Sequence, residues 1–105
     1  MSERWYDVGA VSDVAEGAPF AVKVEGRRIA IHLLAGRYCA IDDLCPHADG
    51  ILSQGRIAGE EIECPLHGAR FHIPTGRYLG GPGRRDIECY PVKQDGLRLL
   101  VCRND

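Results

Sequence analysis

At 105 residues, with 45% hydrophobic and 27% charged side chains, the chain is long enough for one domain with a modest core. A formal net charge of −2 speaks against general nucleic-acid binding, which needs a basic surface. No window approaches the roughly 18 apolar residues of a membrane span. Met1-Ser2-Glu3-Arg4-Trp5 opens without the apolar run of a signal peptide, so a cytoplasmic protein with no membrane partner is expected.

Trp5-Tyr6-Asp7-Val8 reads as a short first strand, and Ser12–Gly17 as a polar connection. Phe20–Val24, Arg28–Leu34 and Arg37–Ile41 are β-branched or aromatic runs separated by Glu25-Gly26 and Ala35-Gly36. Such spacing predicts an antiparallel meander. From Asp43 to Gly83 the texture changes: Gly and Pro become frequent and apolar runs shrink to two or three residues. Ile62-Glu63 and Arg70-Phe71-His72 are short strand candidates, Pro74-Thr75-Gly76 is a turn, and Gly80-Gly81-Pro82-Gly83 is a glycine-rich loop. A segment this poor in apolar runs is expected to bury little and to need a staple, such as a metal centre. Strand texture returns at Ile87–Val92, turns at Asp95-Gly96 and closes with Leu97–Cys102. Pro91 has no amide hydrogen to donate, so that strand is expected at an edge or bulged. The expected architecture is all-β: a frame from about 1–42 and 86–105, with 43–85 inserted as a small subdomain of the same single domain.

The inserted segment holds the chemistry. Cys45-Pro46-His47 opens it and Cys64-Pro65-Leu66-His67 follows after residues 48–63. Each loop offers one soft thiolate and one imidazole. Two of each suit tetrahedral zinc or an iron–sulfur cluster, not an oxygen-seeking cation. A catalytic zinc would need an open position that four protein ligands do not leave. The five cysteines are an odd number without a signal peptide, poor material for a disulfide scaffold. Structural zinc sites usually pair like with like, whereas each loop here supplies one Cys and one His. A two-iron cluster can use that mixture, both thiolates on one iron and both imidazoles on the other.

Cys45-x-His47 followed by Cys64-x-x-His67-Gly68 resembles the signature of Rieske [2Fe–2S] proteins, and the likeness in element order covers essentially the whole chain. The resemblance implies an antiparallel β-sandwich frame, an inserted cluster-binding subdomain, and one Rieske cluster held by Cys45, His47, Cys64 and His67. With neutral imidazoles the charges of an oxidised Rieske cluster cancel, whereas four thiolates would leave two negative charges. An electron enters the neutral cluster more easily, hence potentials of roughly −150 to +300 mV. High-potential members carry an inter-loop disulfide at the positions that are Gly50 and Leu66 here. They place hydroxyls at the positions of Ala69 and Phe71, where this chain has no donor. A donor stabilises the more negative reduced state, so a low-potential centre is expected. The resemblance also implies that Pro82, in the third loop, covers the cluster.

The chain most resembles the ferredoxin component of bacterial aromatic ring-hydroxylating dioxygenase systems. That implies a carrier in aromatic hydrocarbon catabolism, not an enzyme. It would take single electrons from an NAD(P)H-dependent flavoprotein reductase and pass them to the Rieske centre of a terminal oxygenase, with His47 and His67 at the exposed exit. No second cofactor motif and no space for a catalytic domain are evident, and a monomer is expected. The competing readings are a zinc-stapled binding module with no redox role and a Rieske-like small subunit of a nitrite reductase. The latter typically lacks the ligands. Cys39, Cys89 and Cys102, beside apolar neighbours, are expected to be small core hydrophobes. His32 is expected to pack or face solvent, and His72 to be a solvated strand residue. Arg84 and Arg85, with Arg70 and Arg77, could steer an acidic partner or simply be a solvated face.

Overall fold

A computed structural model describes residues 3–46 and 50–104. Eleven strands run in chain order: β1 Glu3–Ala10, β2 Phe20–Val24, β3 Arg27–Leu34, β4 Arg37–Asp42, β5 Arg56–Ala58, β6 Glu61–Glu63, β7 Arg70–His72, β8 Tyr78–Gly80, β9 Cys89–Tyr90, β10 Val92–Asp95 and β11 Arg98–Asn104. They form three antiparallel sheets ordered β1-β11-β10, β2-β3-β4-β9 and β5-β6-β7-β8. The protein is all-β, and no helix among the described residues is long and apolar enough to cross a membrane.

The β2-β3-β4 meander follows the glycine-turn spacing. β1 joins no neighbour in sequence. It pairs across the whole chain with β11, Trp5 opposite Cys102 and Tyr6 opposite Val101. The expected strand 87–92 is interrupted at Pro91, the residue with no amide hydrogen to donate. Cys89-Tyr90 pairs with Ala40-Ile41 of β4, whereas Val92–Asp95 pairs with β11 in another sheet. Pro91 is thus the point where the chain changes sheets.

Alternation along β3 and β4 explains the two cores. Ile29, Ile31 and Ala40 face Val8, Leu99 and Val101 of the β1-β11-β10 sheet, with Tyr90 and Val24 alongside. Cys39 and Ile41 face the other way, onto Leu52, Ile62, Phe71, Ile73 and Ile87. The middle sheet is therefore buried on both sides. The segment 43–85 is not the core-poor loop its composition suggested. Leu52, Ile62, Phe71 and Ile73 are all but fully buried, because β6, β7 and the segments flanking the small sheet gather isolated apolar residues into one cluster. At about 25 cal/mol per Å² of apolar area, burying each such side chain contributes roughly 1.5–3 kcal/mol. Side-chain packing therefore contributes to the stability of this segment.

Candidate metal centre

The first ligand loop leaves the frame through paired carboxylates. Asp42 ends β4 and Asp43 follows it, beside Arg27 and Arg28, which begin β3. Arg27 donates two hydrogen bonds to Asp42, each 3.0 Å. Tyr90 Oη donates to the same carboxylate at 2.6 Å and the Glu88 amide at 3.1 Å. Burial, helped by that carboxylate, pushes the Tyr90 hydroxyl well above its ordinary range, while Asp42 holds Arg27 firmly protonated. Asp43 is fully buried, 2.7 Å from Arg28 Nε, and accepts from the Ser53 amide and hydroxyl at 2.7 and 2.9 Å. Its carbonyl accepts from the Leu52 amide at 2.8 Å. Residues 43 and 52–53 thus close the base of the first loop. The Cys45 amide donates to the Gly50 carbonyl at 2.8 Å, closing a narrower turn within it. His47 lies outside the described residues.

The second loop is closed at Cys64. The Gly68 amide donates to the Cys64 carbonyl at 3.0 Å and the Cys64 amide to the Ala69 carbonyl at 2.7 Å. Gly68 takes φ +80°, which a glycine adopts without strain. Cys64 is turned inward and buried, while Pro65, Leu66 and His67 project to solvent. Cys45 is likewise buried, and neither cysteine is in a disulfide. The loops approach closely: a Cβ added at Gly50 would lie 2.6 Å from Cys64 Sγ and 3.2 Å from Leu66 Cγ. Leu66 therefore rests against the first loop at the two positions where high-potential relatives are bridged.

The third loop closes over the second. Gly81, at φ +86°, has no room for a side chain, since an added Cβ would sit 2.6 Å from the Gly68 carbonyl oxygen and 2.9 Å from Ala69 Cα. Tyr78 Oη donates to the Gly81 carbonyl, and the Tyr78 ring meets Phe71 edge-on at 6.2 Å. Pro82, Pro46, Phe71, Tyr78, Arg84 and Arg85 line a cavity of about 380 Å³ between the loops. Ala69 and Phe71 are both buried and offer no hydroxyl.

The remaining candidates are placed elsewhere. Cys39 and Cys102 are buried, as expected of small hydrophobes, but Cys89 is exposed and its thiol donates to the Pro74 carbonyl at 3.3 Å. The two residues of β9 alternate, Cys89 facing out and Tyr90 in. Burial pushes the Cys39 and Cys89 thiols up, so neither is a ready thiolate. His32 is buried, its Nε2 without a partner among the described residues. His72 is half-buried and held by Thr75 at 2.8 Å and Glu60 at 3.1 Å. Asp42, Asp43 and Tyr78 were not singled out from sequence. The available signal was Asp42-Asp43 two residues before Cys45, facing an Arg-Arg pair across a meander.

Among the described residues, no three His, Cys, Asp or Glu side chains form a group that could hold a single metal ion. A two-iron cluster needs two protein donors at each iron instead. Two buried thiols on converging loops, neither in a disulfide, would supply one such pair, and the second loop's exposed imidazole one donor of the other.

The β architecture and the two mixed Cys/His loops are those of a class of iron–sulfur electron-transfer domains. The chain belongs to the Rieske [2Fe–2S] domain family, whose model matches residues 4–91. It is 42% identical over 101 residues to the ferredoxin component of the naphthalene 1,2-dioxygenase system of Pseudomonas aeruginosa, covering 96% of this chain and 97% of that one. Among solved structures it resembles the ferredoxin of carbazole 1,9a-dioxygenase from Nocardioides aromaticivorans IC177, with TM-score 0.86, 33% identity and coverage of 92% and 95%. It also resembles the Sphingomonas yanoikuyae B1 ferredoxin, with TM-score 0.89, 30% identity and coverage of 96% and 100%.

Proposed function

We propose that this chain is a cytoplasmic, monomeric, low-potential Rieske ferredoxin. It carries single electrons from a flavoprotein reductase to the terminal oxygenase of an aromatic-ring dioxygenase system. The observation that carries the reading is near-complete mutual coverage with a dioxygenase ferredoxin component, joined to buried thiols on two converging loops. Cys45 and Cys64 would hold one iron, and His47 and His67 the other. When bound, the cluster supplies a site that gains and loses one electron. The polypeptide keeps the thiolate side dry by burying both cysteines and leaves His67 at the surface, where a partner can approach. Ala69 and Phe71, lacking hydroxyls, would keep the potential near the low end of the family range. Residues 43–85 would be the cluster-binding subdomain and Pro82 its cover. The role is a carrier's, and docking would be weak and small in area, as electron-transfer encounters are.

Metal and sulfide analysis of the purified protein tests the centre. Iron with acid-labile sulfide, a red-brown colour, and an average g value on reduction below that of all-Cys clusters are expected. A colourless zinc protein would overturn the reading and favour a structural binding module.

A further inference from the structure

The third loop continues from Pro82 as the exposed run Gly83-Arg84-Arg85-Asp86. The acid of this run is engaged, because Asp86 Oδ1 accepts the Tyr78 amide at 2.8 Å. The two cations are not: among the described residues, Arg84 and Arg85 enter no hydrogen bond or ion pair. Arg27, Arg28, Arg70 and Arg98 are tied to Asp42, Asp43, Glu61 and Asp7, and although Arg37, Arg56 and Arg77 are uncommitted too among the described residues, none of those three lines either groove at the first ligand loop. Arg84 and Arg85 both border Pro46, and Arg85 also lines the groove beside Leu44 and Cys45. Leu44 and Leu66, 40% and 57% exposed, give the ligand loops an apolar lip. A chain of net charge −2 thus presents two uncommitted guanidinium groups beside its buried thiols.

We propose that Arg84 and Arg85 anchor a carboxylate-bearing face of the electron donor, the flavoprotein reductase; this rests on the carrier reading above. Guanidinium forks match carboxylates in charge and geometry. The choice of donor over acceptor follows from charge. Reduction adds one negative charge at this end of the molecule. Acidic groups docked on the arginines are drawn to the oxidised form and repelled by the reduced one. A donor must bind the oxidised carrier and release the reduced carrier. An acceptor needs the opposite preference.

The test uses the intact cluster-bearing protein and titration calorimetry without oxygen. The probe is the reductase component of a naphthalene 1,2-dioxygenase system, with both partners oxidised or both reduced. Wild type should bind more tightly in the oxidised pair, and more weakly as salt rises. Arg84→Glu with Arg85→Glu should weaken oxidised-pair binding about tenfold or more at low salt and flatten the salt dependence. Arg84→Gln with Arg85→Gln, which keeps bulk and polarity, should weaken it about threefold. Affinity for the terminal oxygenase component should stay within about twofold. The visible spectrum of each variant should match wild type, while the midpoint should fall, more in the Glu variant than in the Gln variant, because positive charge beside the buried thiols is lost. If wild type binds both components and neither variant alters reductase affinity, or the loss falls on the oxygenase instead, the arginine assignment is overturned. A wild-type protein that binds neither component overturns the carrier reading itself.

Discussion

The fully buried carboxylate of Asp43 lies 2.7 Å from Arg28 Nε, and through this pair the first ligand loop is tied to the frame. Ser53 donates twice to the same carboxylate, so the far end of the loop is held at the same point. Replacing Arg28 by Met would leave a buried carboxylate with only neutral donors. Breaking a buried pair from one side costs on the order of 3–5 kcal/mol. Arg28 is itself partly exposed, so the lower end is expected. Arg28→Met should lower the melting temperature by more than about 10 °C. A melting curve that superimposes on wild type would show that the pair does not hold the loop.

The potential should respond to hydroxyls that the chain lacks. Ala69 and Phe71 are both buried beside the second ligand loop. A hydrogen bond to a charged acceptor contributes roughly 1.5–3 kcal/mol, which for one electron corresponds to about 60–130 mV. Ala69→Ser and Phe71→Tyr should each raise the midpoint, by an amount at or below that range because the oxidised state also gains. Phe71→Tyr has space, since Phe71 lines the cavity under the third loop. Redox titration of the double variant should show a rise, and an unchanged midpoint would refute the low-potential account.

Tyr78 joins the third loop to the core in two ways, its hydroxyl to the Gly81 carbonyl and its ring edge-on to Phe71. Tyr78→Phe keeps the ring contact and removes only the hydroxyl. The expected stability loss is about 1 kcal/mol. The local effect should be larger: amide exchange of residues 80–83 and loss of cluster absorbance in the presence of an iron chelator should both accelerate. Unaltered exchange in that segment would show that Gly81 is held by close packing on Gly68 and Ala69 alone.

What the sequence disclosed depended on how local the physics was. β2, β3 and β4 were legible because β-branched runs alternate with glycine turns, all within about 20 residues. The pairing of Trp5 with Cys102 was not, since nothing near either residue reports a partner nearly a whole chain away. β5 and β8 were missed because three residues such as Arg56-Ile57-Ala58 carry almost no period, and tertiary packing makes them strands. The loops that carry Cys45 and Cys64 are short and local, and their likeness to the Rieske signature anticipated the family. The supports of those loops were not legible: Asp42 and Asp43 look like turn residues until the register sets them beside Arg27 and Arg28. Cys89 shows the opposite error, a thiol in apolar company that falls on the outward side of its strand, next to an inward Tyr90.

His32 gives the fold a definite acid limit. It lies opposite Cys39 in the β3–β4 pair, on a sheet buried from both sides, and its Nε2 has no partner among the described residues. Burial pushes its pKa from 6.5 down to about 4, and the Asp43 charge opposes this only in part. The unfolded chain therefore binds a proton between those values that the folded chain refuses. Stability contributed by neutral His32 is fully present above about pH 6.5 and is lost as pH falls towards 4. The full interval corresponds to on the order of 3 kcal/mol. His32→Leu removes the titrating group at similar volume, so its melting temperature should fall less between pH 6.5 and 4 than that of wild type. Parallel declines in the two proteins would place the acid limit on other groups.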